Sequence, residues 1–352
     1  MEKNIININL DLDKELKNID KEDHYTIPIF IPHKGCKNEC VFCNQRKISG
    51  EIEEQKVEDV DNIVSEYLSY FKNVENKNIE IAFFGGSFTG INVNEQIKYL
   101  KAANKYIEKG LVSGIRISTR PDYISIPILK LMKKYNVTTI ELGVQSLDDE
   151  VLLSSKRGHT KKDVIRASKL IKLFNINLGH QIMIGLPKST LKSEIYTIKE
   201  VLKISPSMLR IYPVYVIEPS ELYDMYLNGS YVPLSLEEAA HRVYSVFKCC
   251  QNSDIKIIRI GLQTTEIINS KNINIIGPVC DNFAEYVLSM IVREKIEEIF
   301  ANINLLENND KNIIVNITVK SKFVSFISGP NKINKIFFKE KYGVNLKINS
   351  NI

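Results

Sequence analysis

The sequence contains no hydrophobic run of the ~18 residues that a membrane span requires. Residues 1–23 mix acidic, basic and asparagine side chains, so they lack the apolar core of a signal peptide. There is no internal repeat, and the only bias is an excess of Ile, Asn and Lys. Apolar residues make up 44% and charged residues 25% of the 352 residues, which excludes a disordered, collagenous or coiled-coil chain. We therefore expect a globular, cytoplasmic protein with one large domain or two smaller ones.

No charge of one sign dominates, and cysteine is scarce. The chain carries 47 Lys and Arg against 42 Asp and Glu, and the net charge of +5 permits an anionic partner without requiring one. The 6 cysteines do not indicate a disulfide framework, because a cytosolic compartment keeps thiols reduced. Cys249, Cys250 and Cys280 stand apart from the other three. Adjacent helical positions diverge by about 100°, so we expect these downstream cysteines to be small core residues.

From residue 24 onward, β-rich runs alternate with helical patterns. The predicted strands are 27–31, 79–84, 114–118, 138–142, 178–184, 208–215 and 255–260. The predicted helices are 57–71, 94–109, 126–135, 162–174, 190–203 and 236–250. This alternation is typical of βαβ units and predicts an α/β fold with a parallel sheet. Crossovers of this length are right-handed, so the sheet either winds doubly or closes towards a barrel.

Past residue 266 the pattern changes. Residues 281–299 predict one amphipathic helix, and residues 313–319 alternate like a strand. Residues 323–348 predict a further strand, loop, helix and strand. The expected division is an N-terminal extension (1–23), an α/β domain (24–265), a helical extension (266–310) and a small α+β tail (311–352).

Three cysteines form a C-x3-C-x2-C motif directly after the first predicted strand. They are Cys36, Cys40 and Cys43, with Phe42 just before the last. In α/β barrels, the loops that follow the strands carry the active site. Three thiolates on one loop can hold three irons of a cubane cluster and leave the fourth iron open. A zinc site with His33 as the fourth ligand, or a chance grouping of structural cysteines, is the alternative.

This motif, in this position, resembles that of the radical S-adenosylmethionine superfamily. The resemblance implies a partial open (β/α)6 barrel with a 4Fe–4S cluster on the three cysteines and S-adenosylmethionine on the open iron. It also implies that Phe42 contacts the cofactor. Electron transfer then cleaves S-adenosylmethionine to a 5′-deoxyadenosyl radical, which abstracts a substrate hydrogen, while the protein positions the reactants and excludes water. It also implies an electron donor such as flavodoxin or ferredoxin, and no membrane partner.

Glycines and polar residues follow the next two predicted strands. Gly85 and Gly86 end the second strand, where the missing Cβ atoms let a ligand approach the backbone. The resemblance places the amino group of S-adenosylmethionine there, and a plain turn is the alternative. Ser118 ends the third strand, at a position where related oxidases carry a ribose-binding Glu, so this chain departs from their pattern. Asp122 is expected to be an N-cap or turn residue.

Three further residues are placed at the cofactor by the resemblance. Gln145 would contact the ribose, Arg157 the carboxylate, and Ile184 the adenine. A guanidinium fork suits a carboxylate better than an ammonium does. Without this context Arg157 would be a solvated surface residue and Ile184 a core residue. His159 either orients a neighbour or caps a helix, and Tyr212 either faces the substrate cavity or is a buried structural residue.

The order of these segments is more specific than the cysteines. Gly-Gly-Ser-Phe, Ser-Thr-Arg-Pro-Asp-Tyr, Glu-Leu-Gly-Val-Gln-Ser, Lys-Arg-Gly-His-Thr and Ile-Tyr-Pro-Val resemble the radical domain of the Elongator catalytic subunit and its bacterial relatives, over residues 24–265. That subunit spaces its cysteines more widely and continues into an acetyltransferase domain, which we do not expect here. An RNA (tRNA) nucleoside is the implied substrate. The alternatives are an oxygen-independent coproporphyrinogen III oxidase-like enzyme and a non-catalytic iron–sulfur sensor in an RNA-binding protein.

The tail gives a separate indication. Residues 323–342 resemble a K-homology-type strand, glycine loop and helix, in which the loop clamps a nucleic-acid backbone. The loop here is Gly329, Pro330, Asn331 and Lys332, without the second glycine. A small packing module is the alternative.

Overall fold

A computed structural model describes residues 5–19, 24–31, 35–36, 40–43, 56–71, 78–262, 274–303 and 313–351. Its strands, in chain order, are β1 (Ile5–Asn9), β2 (His24–Phe30), β3 (Asn78–Phe84), β4 (Gly114–Thr119), β5 (Val137–Gln145), β6 (Asn177–Ile184), β7 (Met208–Pro213), β8 (Val216–Ile217), β9 (Lys256–Ile260), β10 (Ile275–Ile276), β11 (Ile313–Lys320) and β12 (Val344–Asn351). All seven strands predicted between residues 24 and 265 are present, within a few residues of the expected bounds.

The helices lie between these strands. They are α1 (Val60–Tyr70), α2 (Val93–Glu108), α3 (Ile126–Lys134), α4 (Asp149–Ser154), α5 (Lys161–Leu173), α6 (Leu191–Ile204), α7 (Glu221–Leu227), α8 (Leu236–Cys250), α9 (Phe283–Asn302), α10 (Val324–Ser328) and α11 (Ile333–Tyr342). Several begin at a polar cap: the side chains of Asn92, Thr160 and Thr190 each accept a hydrogen bond from an amide of the first turn. No helix within the described ranges is long and apolar enough to cross a membrane.

The main sheet is parallel, and its strand order is β2-β3-β4-β5-β6-β7-β9. A doubly wound sheet reverses its strand order at a switch point, whereas this order contains no reversal. Each strand therefore lies beside the previous strand of the sheet, as in a barrel. The seven-stranded sheet is a curled half-barrel, and the prediction of a partial open barrel of the radical S-adenosylmethionine type is confirmed.

The two faces of this sheet differ in polarity, because successive strand residues point to opposite sides. Ile81, Ile117 and Leu142 lie on the outer side and are fully buried in the main hydrophobic core with the helices. The inner side instead carries charged and amide side chains from five strands: Glu80, Arg116, Glu141, Gln181 and Arg210. The concave side of the half-barrel is therefore polar.

The C-terminal tail differs from its prediction in one element. The expected strand at the start of residues 323–348 is wrong, because this segment forms the short helix α10. Its apolar residues Phe323, Val324, Phe326 and Ile327 follow i, i+1, i+3 and i+4 spacing, which favours a helix over a strand. The predicted helix and final strand are confirmed as α11 and β12, and the helix predicted at 281–299 is confirmed as α9.

The two ends of the chain share a second sheet. β1 pairs in parallel with β11, with Ile5 opposite Ile314, and β11 pairs in parallel with β12. After β1, Leu12 and Leu16 are buried in the main core. The N-terminal segment is therefore part of the folded body, which its mixed composition did not indicate.

Candidate cofactor site

The cysteine motif follows β2 at the carboxyl edge of the half-barrel. Cys40 is buried, whereas the other two cysteines of the motif are exposed, and none of the six cysteines forms a disulfide. The loop is anchored beside Cys40: the amide of Val41 donates to the carbonyl of Ser155 (3.3 Å), and the carbonyl of Val41 accepts from the amide of Leu222 (2.8 Å). The end of α4 and the start of α7 therefore fix the middle of the motif.

Two glycines join the cysteine loop to the loop after β3. Gly35 has a φ of +86°, and a Cβ there would lie 2.2 Å from the carbonyl oxygen of Ser87. A Cβ on Gly90 would lie 2.1 Å from the carbonyl oxygen of Gly35, so a side chain at either position requires the loops to separate. The Cys36 Sγ and Ser87 Oγ atoms are 3.1 Å apart. This backbone contact brings the first cysteine to the end of β3.

Gly85 and Gly86 lie at that same strand end and are half-buried. Gly85 has a φ of +96°, a conformation that side chains rarely adopt. The atoms nearest to a Cβ on Gly85 belong to the backbone of Ile31, at 3.5 Å, which is ordinary contact. The backbone dihedral, and not crowding by protein atoms, therefore makes glycine necessary at Gly85.

Arg157 connects the motif to the end of β5. Its Nη1 donates to the Sγ of Cys40 at 3.1 Å, and its Nη2 donates to the carbonyl of Gly143 at 2.8 Å. Its guanidinium carbon lies 5.9 Å from the centre of the Phe42 ring. The structure thus brings Arg157 to Cys40 and Phe42 of the cysteine motif, although Arg157 and Cys40 are 117 residues apart in sequence.

β5 ends in a strained conformation. Gln145 has a φ of +63°, in the left-handed region, and the β5–β6 register shifts between Gly143 and Gln145. A Cβ on Gly143 would lie 3.0 Å from the Gln145 Nε2 and 3.2 Å from the Arg157 Nη2. The side-chain amide and the guanidinium therefore both pack onto Gly143. Strain of this kind is typical of functional sites.

Three buried polar atoms near Cys40 have no hydrogen-bond partner among the described residues. They are Nε of Arg157, Nη1 of Arg120 and Oε1 of Gln145. A buried group left unpaired costs about 1–3 kcal/mol. The two donors suit a carboxylate or an anionic sulfur, and the acceptor suits a hydroxyl. S-adenosylmethionine carries a carboxylate and ribose hydroxyls, and a cluster carries anionic sulfurs, so the residues present fit both groups.

His159 lies against the same strand end. Its Nε2 is 3.3 Å from the carbonyl oxygen of Val144, so it carries the proton and donates to that oxygen. Burial, together with the positive charges of Arg157 and Arg120, lowers the pKa of His159 to about 3. The imidazole is therefore neutral at pH 7, and it holds the backbone of β5 while Thr160 caps α5.

β6 ends at the buried Ile184, followed by Gly185 with a φ of +90°. The hydroxyl of Tyr231 donates to the carbonyl of Gly185 (2.6 Å), and the amide of Gly185 donates to Glu194 (2.9 Å). The amide of Val214 donates to the carbonyl of Ile184 at 2.8 Å. Since these backbone groups are already paired, Ile184 has mainly its apolar side chain available for contact with a ligand.

A charge network fills the inner face below this edge. Arg116 donates to Glu80 (2.8 Å) and to Glu141 (2.7 Å), and Arg210 donates to both oxygens of Glu141 (2.6 and 2.9 Å). Burial alone would raise the pKa of Glu141, but Arg210 and Arg116 lower it to about 2. Burial is likewise outweighed at Glu80, where His24 and Arg116 lower the pKa to about 2. Both carboxylates are charged and matched by arginine.

Nearer the carboxyl edge, the inner face becomes neutral. The Gln181 Nε2 donates to Glu141 (2.9 Å) and lies 3.5 Å from the Ser118 Oγ. Tyr212 is half-buried on β7, and its hydroxyl lies 3.5 Å from the Arg210 Nη1. Ser118, Gln181 and Tyr212 thus share one side of the sheet. Ser118 contacts Gln181 and not Arg157, so the structure does not bring it to the Cys40 cluster of side chains.

The three thiols of the motif are not preassembled. No group of three His, Cys, Asp or Glu side chains that could hold a metal ion occurs in the described part of the chain. Ligand sets often form only as the metal binds. His33, the fourth ligand of the zinc alternative, lies outside the described residues.

Sequence reasoning missed four residues of this site: Gly35, Ser87, Gly90 and Arg120. The first three act through close backbone contact, which no spacing pattern reveals, although Gly35 directly precedes the motif. Arg120 stands in the Arg-Pro-Asp segment that was interpreted as a turn. That turn is present as a short helix over Pro121–Tyr123. Arg120 directly precedes this helix, and its unpaired Nη1 is buried at the site.

The chain matches two family models in sequence. Residues 30–201 match the Radical SAM superfamily, and residues 206–293 match the Radical_SAM C-terminal domain. A tRNA uridine(34) acetyltransferase of Methanocaldococcus infernus is 34% identical over 181 residues, which are 46% of this chain and 34% of that protein. Human Elongator complex protein 3 is 32% identical over 187 residues, which are 51% of this chain and 32% of that protein. The chain thus spans about a third of the length of these curated relatives.

Among solved structures, the fold is similar to that of the archaeal Methanocaldococcus infernus Elp3 with an N-terminal deletion (1–46). The TM-score is 0.62 at 24% sequence identity, and the match covers 78% of this chain and 64% of that one. The similarity includes the half-barrel that carries the site. The superfamily uses a 4Fe–4S cluster and S-adenosylmethionine. The strand-end site, the two consecutive family matches and the shared fold show that this chain is an enzyme of the radical S-adenosylmethionine superfamily, with a radical domain similar to that of Elongator proteins.

Proposed function

We propose that this enzyme binds its 4Fe–4S cluster through Cys36, Cys40 and Cys43 and acts on a nucleoside of RNA, in the cytoplasm. The observation that carries the proposal is the contact of Arg157 with Cys40, surrounded by unpaired atoms of Arg157, Arg120 and Gln145. The bound and reduced cluster would supply reductive cleavage of S-adenosylmethionine, with a 5′-deoxyadenosyl radical as the species that would abstract a hydrogen from the substrate. A protein such as flavodoxin or ferredoxin would supply the electron.

The chain's own residues hold and orient the cofactor. Arg157 offers its free Nε to the carboxylate, and Gln145 offers its unpaired oxygen to a ribose hydroxyl. Gly85 and Gly86 leave room beside the backbone for the amino group. Ile184 would contact the adenine. Ser118, on the inner face near the carboxyl edge, would bind a hydroxyl of the cofactor or of the substrate.

A neutral, hydrogen-bonding substrate suits the inner face better than a porphyrinogen does. A porphyrinogen carries several carboxylates, which require cations. Arg116 and Arg210 are already paired with Glu80 and Glu141. Ser118, Gln181 and Tyr212 instead present neutral donors and acceptors, as a nucleobase requires. The similar proteins named as tRNA uridine(34) acetyltransferases support the same choice.

The tail adds a surface for RNA. Two helices, α10 and α11, flank the loop of Gly329 to Lys332, between the parallel strands β11 and β12. Lys332 occupies the position of the second glycine of the K-homology loop. Its φ of +60° is a conformation that glycine favours. Asn331 and Lys332 are exposed at its tip. We assign backbone contacts with RNA to this loop.

The test is anaerobic reconstitution followed by incubation with dithionite and S-adenosylmethionine. The wild type should hold about four irons per chain, with broad visible absorbance, and should release 5′-deoxyadenosine. Cys40→Ala should lose both, whereas Cys249→Ala, a change outside the motif, should retain them. Parallel samples receive bulk tRNA or coproporphyrinogen. Stimulation by tRNA alone supports the proposal, and stimulation by coproporphyrinogen alone overturns the RNA assignment. An intact cluster without cleavage favours a sensor.

A further inference from the structure

Arg120 lies beside Arg157, the residue that contacts Cys40 of the motif. It follows β4 and is 3% exposed. Its Nε and Nη2 donate to the two carboxylate oxygens of Asp122, at 3.0 and 3.2 Å, and its Nη2 also donates to the backbone carbonyl of Arg157. The guanidinium lies 5.4 Å from the centre of the Tyr123 ring. Arg120 therefore fixes the backbone of the residue whose side chain reaches Cys40.

The charge of Arg120 is only partly compensated. Its Nη1 is buried and has no hydrogen-bond partner within the ranges that the structure describes. Asp122 has 24% of its side chain exposed, so water screens its carboxylate more than it screens the guanidinium. Cys40 is close enough to interact electrostatically with Arg120. Arg157 thus contacts Cys40 directly through an N–H···S contact, and Arg120 acts on the same cysteine through the Arg157 backbone and through its charge.

We propose that Arg120 is a positioning residue that places Arg157 against Cys40 and adds a second positive charge beside the cluster, and so raises the cluster's reduction potential. This inference rests on the proposed binding of the cluster by the three cysteines. Reduction adds one negative charge to the cluster. Nearby positive charge and hydrogen bonds to the sulfurs stabilise the reduced form.

Substitutions of Arg120 and of Asp122 should shift the midpoint potential of the cluster in opposite directions. Replacing Arg120 by Gln removes the positive charge and should lower the midpoint potential. Replacing Asp122 by Asn removes the compensating negative charge and should raise it. A purely structural role for this pair predicts that both changes loosen the same contact and move the potential in the same direction. The sign of the two shifts therefore distinguishes electrostatics from packing.

The experiment is a mediated redox titration of the reconstituted protein without S-adenosylmethionine. Dithionite supplies one electron per cluster, and the reduced fraction is followed by electron paramagnetic resonance and visible absorbance. The variants are Arg120→Gln, Arg120→Lys, Asp122→Asn and Arg166→Gln. Arg166 is the matched control, because it also donates to a backbone carbonyl, that of Ile124 (2.9 Å), but its side chain is 47% exposed on α5.

At the wild-type midpoint, Arg120→Gln should lower the ratio of reduced to oxidised cluster at least threefold, a shift of about 30 mV for a one-electron couple. Asp122→Asn should raise the ratio, Arg120→Lys should lie between wild type and Arg120→Gln, and Arg166→Gln should match wild type. The midpoint potential does not depend on the fraction of the protein that holds a cluster. If Arg120→Gln folds poorly, Asp122→Asn and Arg120→Lys therefore still test the inference.

Two outcomes overturn the inference. The inference is refuted if all variants have equal potentials, or if Arg120→Gln and Asp122→Asn shift the potential with the same sign. In either case a measured iron content of about four per chain leaves the proposed cluster site intact. A wild type that binds no iron after reconstitution contradicts the proposed cluster site itself, and the inference with it.

Discussion

Glu141→Gln is the sharpest test of the inner-face network. The Glu141 carboxylate is 1% exposed. Within the described residues, it accepts hydrogen bonds from Arg210 on both of its oxygens, and it also pairs with Arg116. Gln keeps the volume of the side chain but leaves a buried guanidinium uncompensated. Breaking a buried ion pair in this way costs about 3–5 kcal/mol. That is a large part of the ~5–15 kcal/mol by which a native protein is usually stable.

The measurement is urea denaturation followed by far-ultraviolet circular dichroism, since the chain has no Trp whose fluorescence could report unfolding. The control is Glu150→Gln, which removes an exposed pair with Lys188, with 70% and 63% of the two side chains exposed. An exposed pair contributes about 0–1 kcal/mol. The double variant Glu141→Gln with Arg210→Gln should recover part of the free energy of unfolding that Glu141→Gln loses, because it leaves no unpaired guanidinium at residue 210. If Glu141→Gln and Glu150→Gln were equally stable, the network would not stabilise the half-barrel and our reasoning would be wrong.

Further predictions concern single contacts. Gly90→Ala should prevent iron retention, because its Cβ would meet the backbone of Gly35, whereas Gly110→Ala, which has open space around it, should retain iron in a colorimetric assay. Because burial lowers the pKa of His180 to about 3, the folded state keeps this ring neutral; its contribution to stability is present above pH ~6.5 and is lost as the pH falls towards 3. His180→Gln should therefore flatten the decline in unfolding free energy between pH 6.5 and 4, and the exposed His241→Gln should not. Acid should also unfold the chain as Glu80 and Glu141 become protonated between about pH 4.5 and 2, a loss that Glu141→Gln should reduce in a titration by circular dichroism.

The alternation of short apolar strands with helices predicts the parallel sheet, because the hydrophobic face of each strand must be covered by the following helix. The family resemblance, and not this pattern, predicts that the sheet curls into a partial barrel. The same resemblance assigns Cys40, Arg157 and Gln145 to one site, and in the structure Arg157 contacts Cys40 and packs with Gln145 onto Gly143. The sequence does not predict the contact of Gly35 with Gly90, or the role of Arg120, since these depend on how two loops meet in space. It fails at α10, a helix of only 5 residues, because so short an apolar segment was interpreted as a strand although its spacing favours a helix.

The pairing of β1 with β11 affects how the chain folds while it is being synthesised. The Asn7 and Asn316 side chains that hydrogen-bond across these strands are 309 residues apart in sequence. At about 5–20 residues per second, a ribosome needs roughly 15–60 s to synthesise that interval. Throughout this time β1 lacks β11, the strand with which it pairs. The nascent chain therefore carries β1, in which Ile and Asn alternate, as an unpaired strand that chaperones can bind during this interval.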